Sequence, residues 1–304
     1  MTKIGQRLIL HIGLHKTGST SFQHSCFSNR NTLKQYGILY PDCPSLNGGT
    51  AQHVLLVSLL RRTHGVATFI ETLRNLEGVH DSKYILLSAE NLSSFLIDPA
   101  DAACATDFIA GLNYHFQDWK AFAVIRDGPE MLRSILMQNI ESQGYPPNLH
   151  AMATASRNYQ FSQCRILNNA LGNRLTAIDY AELQRASFCR SLIQVMTGLE
   201  VNIPELQFNV TQEKDVRRLI FSANIRRFWA DALQAMNPYT GEVNQAVAHT
   251  MNSLQLDPRE EEHIRAALAA KLDSVVREVM CQPESRESLM LIFSKPENKI
   301  NAPP

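Results

Sequence analysis

Four short apolar runs, at residues 8–14, 83–88, 120–125 and 174–178, are separated by stretches of helical length, and this alternation is the strongest constraint the chain places on its fold. A run of five to seven apolar residues bounded by polar positions suits a strand buried on both faces better than a surface helix. Strands that alternate with helices pair in parallel through helical crossovers, so the predicted class is α/β, a parallel β-sheet flanked by helices. Ligands of such sheets sit beyond the carboxyl ends of the strands. Lys16, Glu90 and Arg126 follow three of the runs at that end and are expected to converge on one crevice.

The first run continues as Gly13-Leu14-His15-Lys16-Thr17-Gly18-Ser19-Thr20-Ser21-Phe22-Gln23, a glycine turn carrying a lysine and then a hydroxyl-rich helix start. A helix N-terminus exposes unpaired backbone N–H groups at the positive end of its dipole, which favours a phosphate or sulfate there. Gly13 and Gly18 have the separation of the nucleotide-binding pattern G-x-x-x-x-G-K-[ST], yet Ser19 stands where that pattern has lysine. The lysine lies inside the turn instead, at Lys16. That displacement weakens an ATPase or kinase reading, in which lysine reaches the terminal phosphates and the adjacent hydroxyl holds magnesium.

Beyond the turn, residues 20–34 are expected to be helical, 38–40 a short strand, and 41–50, rich in Pro, Asn and Gly, a loop bordering a substrate cleft. Helices are predicted at 51–62, 66–76, 99–116 and 130–142, the last opened by Pro129, whose missing N–H costs nothing at a helix start. After residue 200 the pattern is mostly helical, with helices at 213–236 and 258–280 and a polar tail at 295–304. The expectation is a single domain over 1–304, with a cofactor-binding α/β core at 1–200 and a mainly helical part at 201–304.

The 304 residues carry equal numbers of acidic and basic side chains, and the basic ones are scattered, which argues against nucleic acid as a partner. Six cysteines lie far apart with no C-x-x-C pair, so neither zinc nor a disulfide scaffold is suggested. No apolar run approaches the roughly 20 residues of a membrane span and no signal peptide is recognisable, so a cytoplasmic location is expected. The sequence leaves a homo-oligomer open.

The order K-T-G-S-T after a strand ending His-Ile-Gly resembles the 5′-phosphosulfate loop of sulfotransferases that use 3′-phosphoadenosine 5′-phosphosulfate (PAPS). It is most similar to bacterial carbohydrate-type members that begin H-x-G-x-H-K-T-G-T-T. A second stretch, from Ala123 through Arg126 to Ser134, resembles that family's 3′-phosphate motif, an arginine ending a strand and a serine eight positions later. Arginine offers a planar fork of donors to phosphate, and serine adds one more. The form Arg126-Asp127-Gly128-Pro129 departs from the commoner R-x-P, and the family's R-K-G segment is absent. Asp179-Tyr180-Ala181-Glu182-Leu183 is similar to the family's Y-E-D-L segment, for which packing and helix capping are a sufficient account.

The resemblance implies a P-loop-like sulfotransferase fold and PAPS as co-substrate, held by His15, Lys16, Thr17, Gly18, Ser19, Thr20, Arg126 and Ser134. It implies catalysis by Lys16 and a base, without a metal. Glu90 is the first candidate for the base; it equally suits a helix cap at Asn91 or an ion pair with Lys16. His53 and His15 are the next candidates. The implied acceptor is a hydroxyl, on a small molecule or glycan such as a carbohydrate or glycolipid. A P-loop-type phosphotransferase and a non-catalytic nucleotide-binding protein of the same fold are the competing readings.

Overall fold

In the computed structural model the described residues are 3–14, 17–143, 148–184, 187–206, 258–281 and 292. The helix expected at 213–236 and the tail at 295–304 lie outside them. The chain divides into two compact units, one of Met1–Asp127, Phe161–Val210 and Ser288–Pro304, the other of Gly128–Gln160 and Thr211–Glu287.

The first unit is built on five parallel strands: β1 (Arg7–His11), β2 (Ile38–Leu39), β3 (Tyr84–Ser88), β4 (Trp119–Ile125) and β5 (Leu175–Asp179). Their order across the sheet is β2-β3-β1-β4-β5, with β1 central between β3 and β4. The α/β parallel sheet expected from the alternating pattern is therefore present, and the displaced β1 next to β4 is a topological switch point. Residues on one face, among them Ile9, Leu86, Phe122 and Ile178, form a core with Phe22 and Cys26 of α1 (Ser19–Ser28). Leu183 of α10 (Tyr180–Leu183) and Leu192 and Met196 of α11 (Phe188–Thr197) complete it. On the other face Leu8, Leu10, Ile85, Leu87, Ala121 and Ala123 are just as deeply buried, so both faces are covered.

The helix expected over 20–34 is two helices, α1 and α2 (Arg30–Gln35). They part at Asn29, whose side-chain Nδ2 and backbone N–H both donate to the Ser25 carbonyl. Asparagine satisfies the end of a helix more readily than it continues one. Loop 41–50 holds one short turn, α3 (Pro44–Asn47), and then come α4 (Leu55–Leu60), α5 (Gly65–Arg74), α6 (Asn91–Ile97) and α7 (Ala102–His115). Phe108 of α7 meets Phe69 of α5 and Phe95 of α6 edge-on, with ring centroids 5.6 and 6.3 Å apart. Arg61 at the end of α4 makes a two-pronged ion pair with the buried Asp101, at 2.8 and 2.6 Å.

In the second unit Leu132 and Leu136 of α8 (Gly128–Gln143) pack with Leu149 and Ala153 of α9 (Leu149–Leu171). Leu272, Val275, Val276 and Val279 of the helix Pro258–Met280 close that core, at the helical spacing the sequence displays. The Arg157 guanidinium donates to the Val279 carbonyl at 3.0 Å, which supplies a donor and a positive charge to that helix's last turn. Among the described residues no helix is long and apolar enough to cross a membrane.

Candidate active site

The carboxyl end of β1 runs on as an extended segment held against β4. The Ile12 N–H donates to Phe122 O at 3.0 Å, and the Val124 N–H to Gly13 O at 2.8 Å. Gly13 then takes φ +94°, and a Cβ placed there would meet the Cα, Cβ and Cγ of Glu90 at 3.6–3.7 Å. Glycine is needed for the backbone angle, while a Cβ there would make only ordinary contact with Glu90. Gly18 follows as the N-cap of α1 at φ 79°, and no side chain caps the helix there. The first helical bond is Phe22 N–H to Gly18 O at 3.1 Å, so the N–H groups ahead of it have no carbonyl behind them within the helix.

The expected ligands of the anion loop separate into two kinds. Thr17 is buried and its hydroxyl donates to the Leu14 carbonyl at 2.6 Å; the buried Ser19 hydroxyl approaches the same carbonyl at 3.4 Å. Both hydroxyls thus turn back toward the Leu14 carbonyl. Thr20 is half-buried in the first turn of α1. His15 and Lys16 lie outside the described residues.

Arg126 is half-buried immediately after β4, and its guanidinium carbon stands 5.2 Å from the Tyr180 ring centroid. Tyr180 in turn contacts Phe188, centroids 5.5 Å apart, and the Phe188 ring lies where a Cβ on Gly18 would come within 3.0 Å of it. An aromatic pair thus links the anion loop to Arg126 across the first unit. The Asp179 carboxylate accepts from the Ala181 N–H at 2.8 Å, the cap expected for the Asp179–Leu183 segment. Ser134, the other expected 3′-phosphate ligand, is half-buried on α8 in the second unit.

Glu90 is half-buried at the head of α6. Beneath it lies a buried polar cluster that sequence reasoning passed over. The Ser88 hydroxyl is 2.7 Å from His11 Nδ1 and accepts from Gln23 Nε2 at 3.0 Å, and all three residues are fully buried. The Ser88 N–H donates to His53 Nδ1 at 3.0 Å, so the other ring nitrogen carries the proton and donates to the Pro41 carbonyl at 3.1 Å. Burial holds His11 at a pKa of about 4, opposed by the nearby Glu90 charge, and also holds His53 at about 4 despite its bonds to Pro41 and Ser88. Both rings are therefore neutral at physiological pH. Both nitrogens of His53, expected among the catalytic residues, are already engaged by main-chain groups, so it has no lone pair to offer a substrate hydroxyl. The hint of this cluster in the sequence was the pair of polar residues His11 and Ser88 in otherwise apolar runs.

No protein-family model matches the chain, and no curated protein matches it. Among solved structures it is similar to a sulfotransferase from Alicyclobacillus acidocaldarius, at 12% identity and a TM-score of 0.39, over 72% of this chain and 92% of that one. It is also similar to the sulfotransferase domain of the Synechococcus PCC 7002 olefin synthase, at 12% identity and TM-score 0.35, over 88% and 95% of the two chains. A third is the sulfotransferase domain from the curacin biosynthetic pathway, at 13% identity and TM-score 0.35, over 88% and 99%. Identity and superposition this low carry no argument about chemistry, which has to come from the residues themselves.

Proposed function

We propose that this chain is a sulfotransferase that moves a sulfuryl group from PAPS to an acceptor hydroxyl, on a carbohydrate or glycolipid. The observation that carries the reading is the strand-to-helix loop from Gly13 to Ser19. It ends in an uncapped helix N-terminus and runs past the backbone and the first side-chain carbons of Glu90 at Gly13. Backbone N–H groups at the head of α1 suit the 5′-phosphate of the donor, and Lys16 is assigned to the charge on the departing phosphate and the sulfuryl oxygens. Arg126 and Ser134 are assigned to the 3′-phosphate, with the Tyr180 ring beside the Arg126 guanidinium.

In the reaction the acceptor oxygen attacks sulfur in line, the new O–S bond forms, and the bond from sulfur to the 5′-phosphate oxygen breaks. The hydroxyl proton passes to Glu90, and 3′-phosphoadenosine 5′-phosphate (PAP) leaves. Little covalent chemistry is asked of the protein beyond positioning, charge stabilisation and one base. A kinase reading is disfavoured by Ser19 standing at the lysine position of the triphosphate loop.

Calorimetry with PAP, adenosine 5′-phosphate and ATP with magnesium tests the reading. Tight binding of PAP that depends on its 3′-phosphate is the expected result. Tight binding of ATP with magnesium, indifferent to a 3′-phosphate, overturns it. A screen of acceptor classes with labelled PAPS then identifies the hydroxyl.

A further inference from the structure

We propose that Ser88 and His53 are positioning residues that fix Glu90 against the anion loop and tie the loop at residues 41–50 to the same point. The proposal rests on the reading of Glu90 as the base. The turn that carries Glu90 is held from three directions. From β1, the His11 carbonyl accepts the Ala89 N–H at 3.0 Å and the His11 ring meets the Ser88 hydroxyl at 2.7 Å. From α1, Gln23 donates to that same hydroxyl at 3.0 Å. From the segment before α4, His53 exchanges two bonds with the Ser88 backbone, each 3.0 Å, and Asn91 Nδ2 donates to the Val54 carbonyl at 2.9 Å.

Each tie ends on an element that carries part of the proposed site. β1 leads into the anion loop, α1 supplies its amides, and the residues around His53 follow the loop expected to border the acceptor. The His53 ring has two separable arms, Nδ1 on the Ser88 N–H and Nε2 on the Pro41 carbonyl, with the Tyr40 ring tilted against it at 4.8 Å. Tyr40 itself donates to the Ala51 carbonyl at 2.7 Å, so both ends of the loop are gripped at one place. A strand end needing stability alone is served by apolar side chains. A buried polar cluster instead selects one geometry, because any displacement costs the hydrogen bonds that Ser88 and both nitrogens of the His53 ring make. Placement within an ångström is what a base acting on a bound hydroxyl requires.

The two arms can be cut separately. Asparagine at 53 places an acceptor near the Nδ1 position and has nothing to reach Pro41, whereas glutamine reaches Pro41 and leaves the Ser88 N–H without its acceptor. Amide hydrogen exchange on His53→Asn is expected to quicken over residues 41–50 and stay slow over 88–93; His53→Gln is expected to do the reverse. Ser88→Ala is expected to quicken exchange at 88–93 and at the start of α1. It should also slow hydrolysis of PAPS to PAP, water serving as acceptor, by about tenfold or more, while PAP affinity by calorimetry stays within about twofold. On the unaltered protein, nitrogen-15 spectra of His53 should show the Nε2–H tautomer from pH 8 down to 6. Exchange that rises uniformly through the first unit in all three variants, or a charged His53 at pH 6.5, overturns the proposal. So does Ser88→Ala that hydrolyses PAPS at the unaltered rate per folded molecule. If PAP does not bind the unaltered protein, the sulfotransferase reading fails instead, and the exchange and nitrogen-15 measurements still decide whether Ser88 and His53 hold the two segments.

Discussion

The guanidinium of Arg126 lies against the ring of Tyr180, its central carbon 5.2 Å from the ring centroid, while Tyr180 leans on Phe188 and Phe188 on the turn at Gly18. A cation above an aromatic face is worth about 0.5–2 kcal/mol and restricts a long side chain to one orientation. Tyr180→Leu is therefore expected to weaken PAP binding by about 3- to 10-fold, and Tyr180→Phe to leave it nearly intact. Arg126→Ala removes the charge itself and is expected to cost PAP about 10- to 100-fold, with little effect on adenosine 5′-phosphate. Equal weakening of both nucleotides in calorimetry would refute the role given to Arg126.

Gly18 is held by two independent constraints, a left-handed backbone at φ 79° and the Phe188 ring 3.0 Å from where a Cβ would sit. Gly18→Ala is expected to destabilise the fold by about 1–2 kcal/mol from the backbone alone. Thermal denaturation of Gly18→Ala beside the double variant Gly18→Ala/Phe188→Leu separates the two: relief of crowding should recover part of the loss. Full recovery would mean that the backbone angle is unimportant.

Glu90→Gln keeps the shape of the side chain beside Gly13 and removes its basicity. Turnover is expected to fall by about 10²- to 10⁴-fold with PAP affinity within about twofold. If turnover is unchanged, the proton goes elsewhere.

Acid should act through the two buried imidazoles. Both have folded pKa values of about 4, below the ordinary 6.5, so the unfolded chain binds the extra protons and their contribution to stability is complete above about pH 6.5. It is lost as pH falls toward 4, at about 1.4 kcal/mol per pH unit for each ring. The Glu90 charge facing His11 and the Asp42 charge facing His53 both act to moderate the shift. Melting temperature followed from pH 7.5 to 5 should fall, and in His53→Asn it should fall less steeply. Parallel slopes in the two proteins would show that His53 is not responsible.

The sheet was legible in the sequence because strands buried on both faces write themselves as largely apolar runs, and three of these sit almost where Arg7–His11, Tyr84–Ser88 and Trp119–Ile125 are found; the fourth run falls on the half-buried edge strand Leu175–Asp179. The helix at Asn91 entered only as one that Glu90 would cap, and α9 was not legible because the face buried at Leu149 and Ala153 continues through the polar Arg157 and Gln160 before Phe161, Cys164, Leu167 and Leu171 take it up. In the loop, residue types pointed to an anion, but spacing alone cannot tell a hydroxyl that faces a ligand from one that closes a turn. The Thr17 hydroxyl donates to the Leu14 carbonyl and the Ser19 hydroxyl lies 3.4 Å from it, contacts that residue type and spacing do not record. His53 belongs to a residue type that moves protons. Its neutrality and its two main-chain partners depend on Ser88 and Pro41, respectively 35 and 12 residues away, and no local pattern records them.

The sheet begins at one edge with β2, only two residues long and paired to Tyr84 and Ile85 of β3. A strand from another molecule arriving at that edge would find a ladder too short to register against, which is one of the ways in which folded proteins discourage edge-to-edge aggregation. The brevity of Ile38–Leu39 therefore protects the chain against unwanted sheet growth on the side where loop 41–50 leaves the strand.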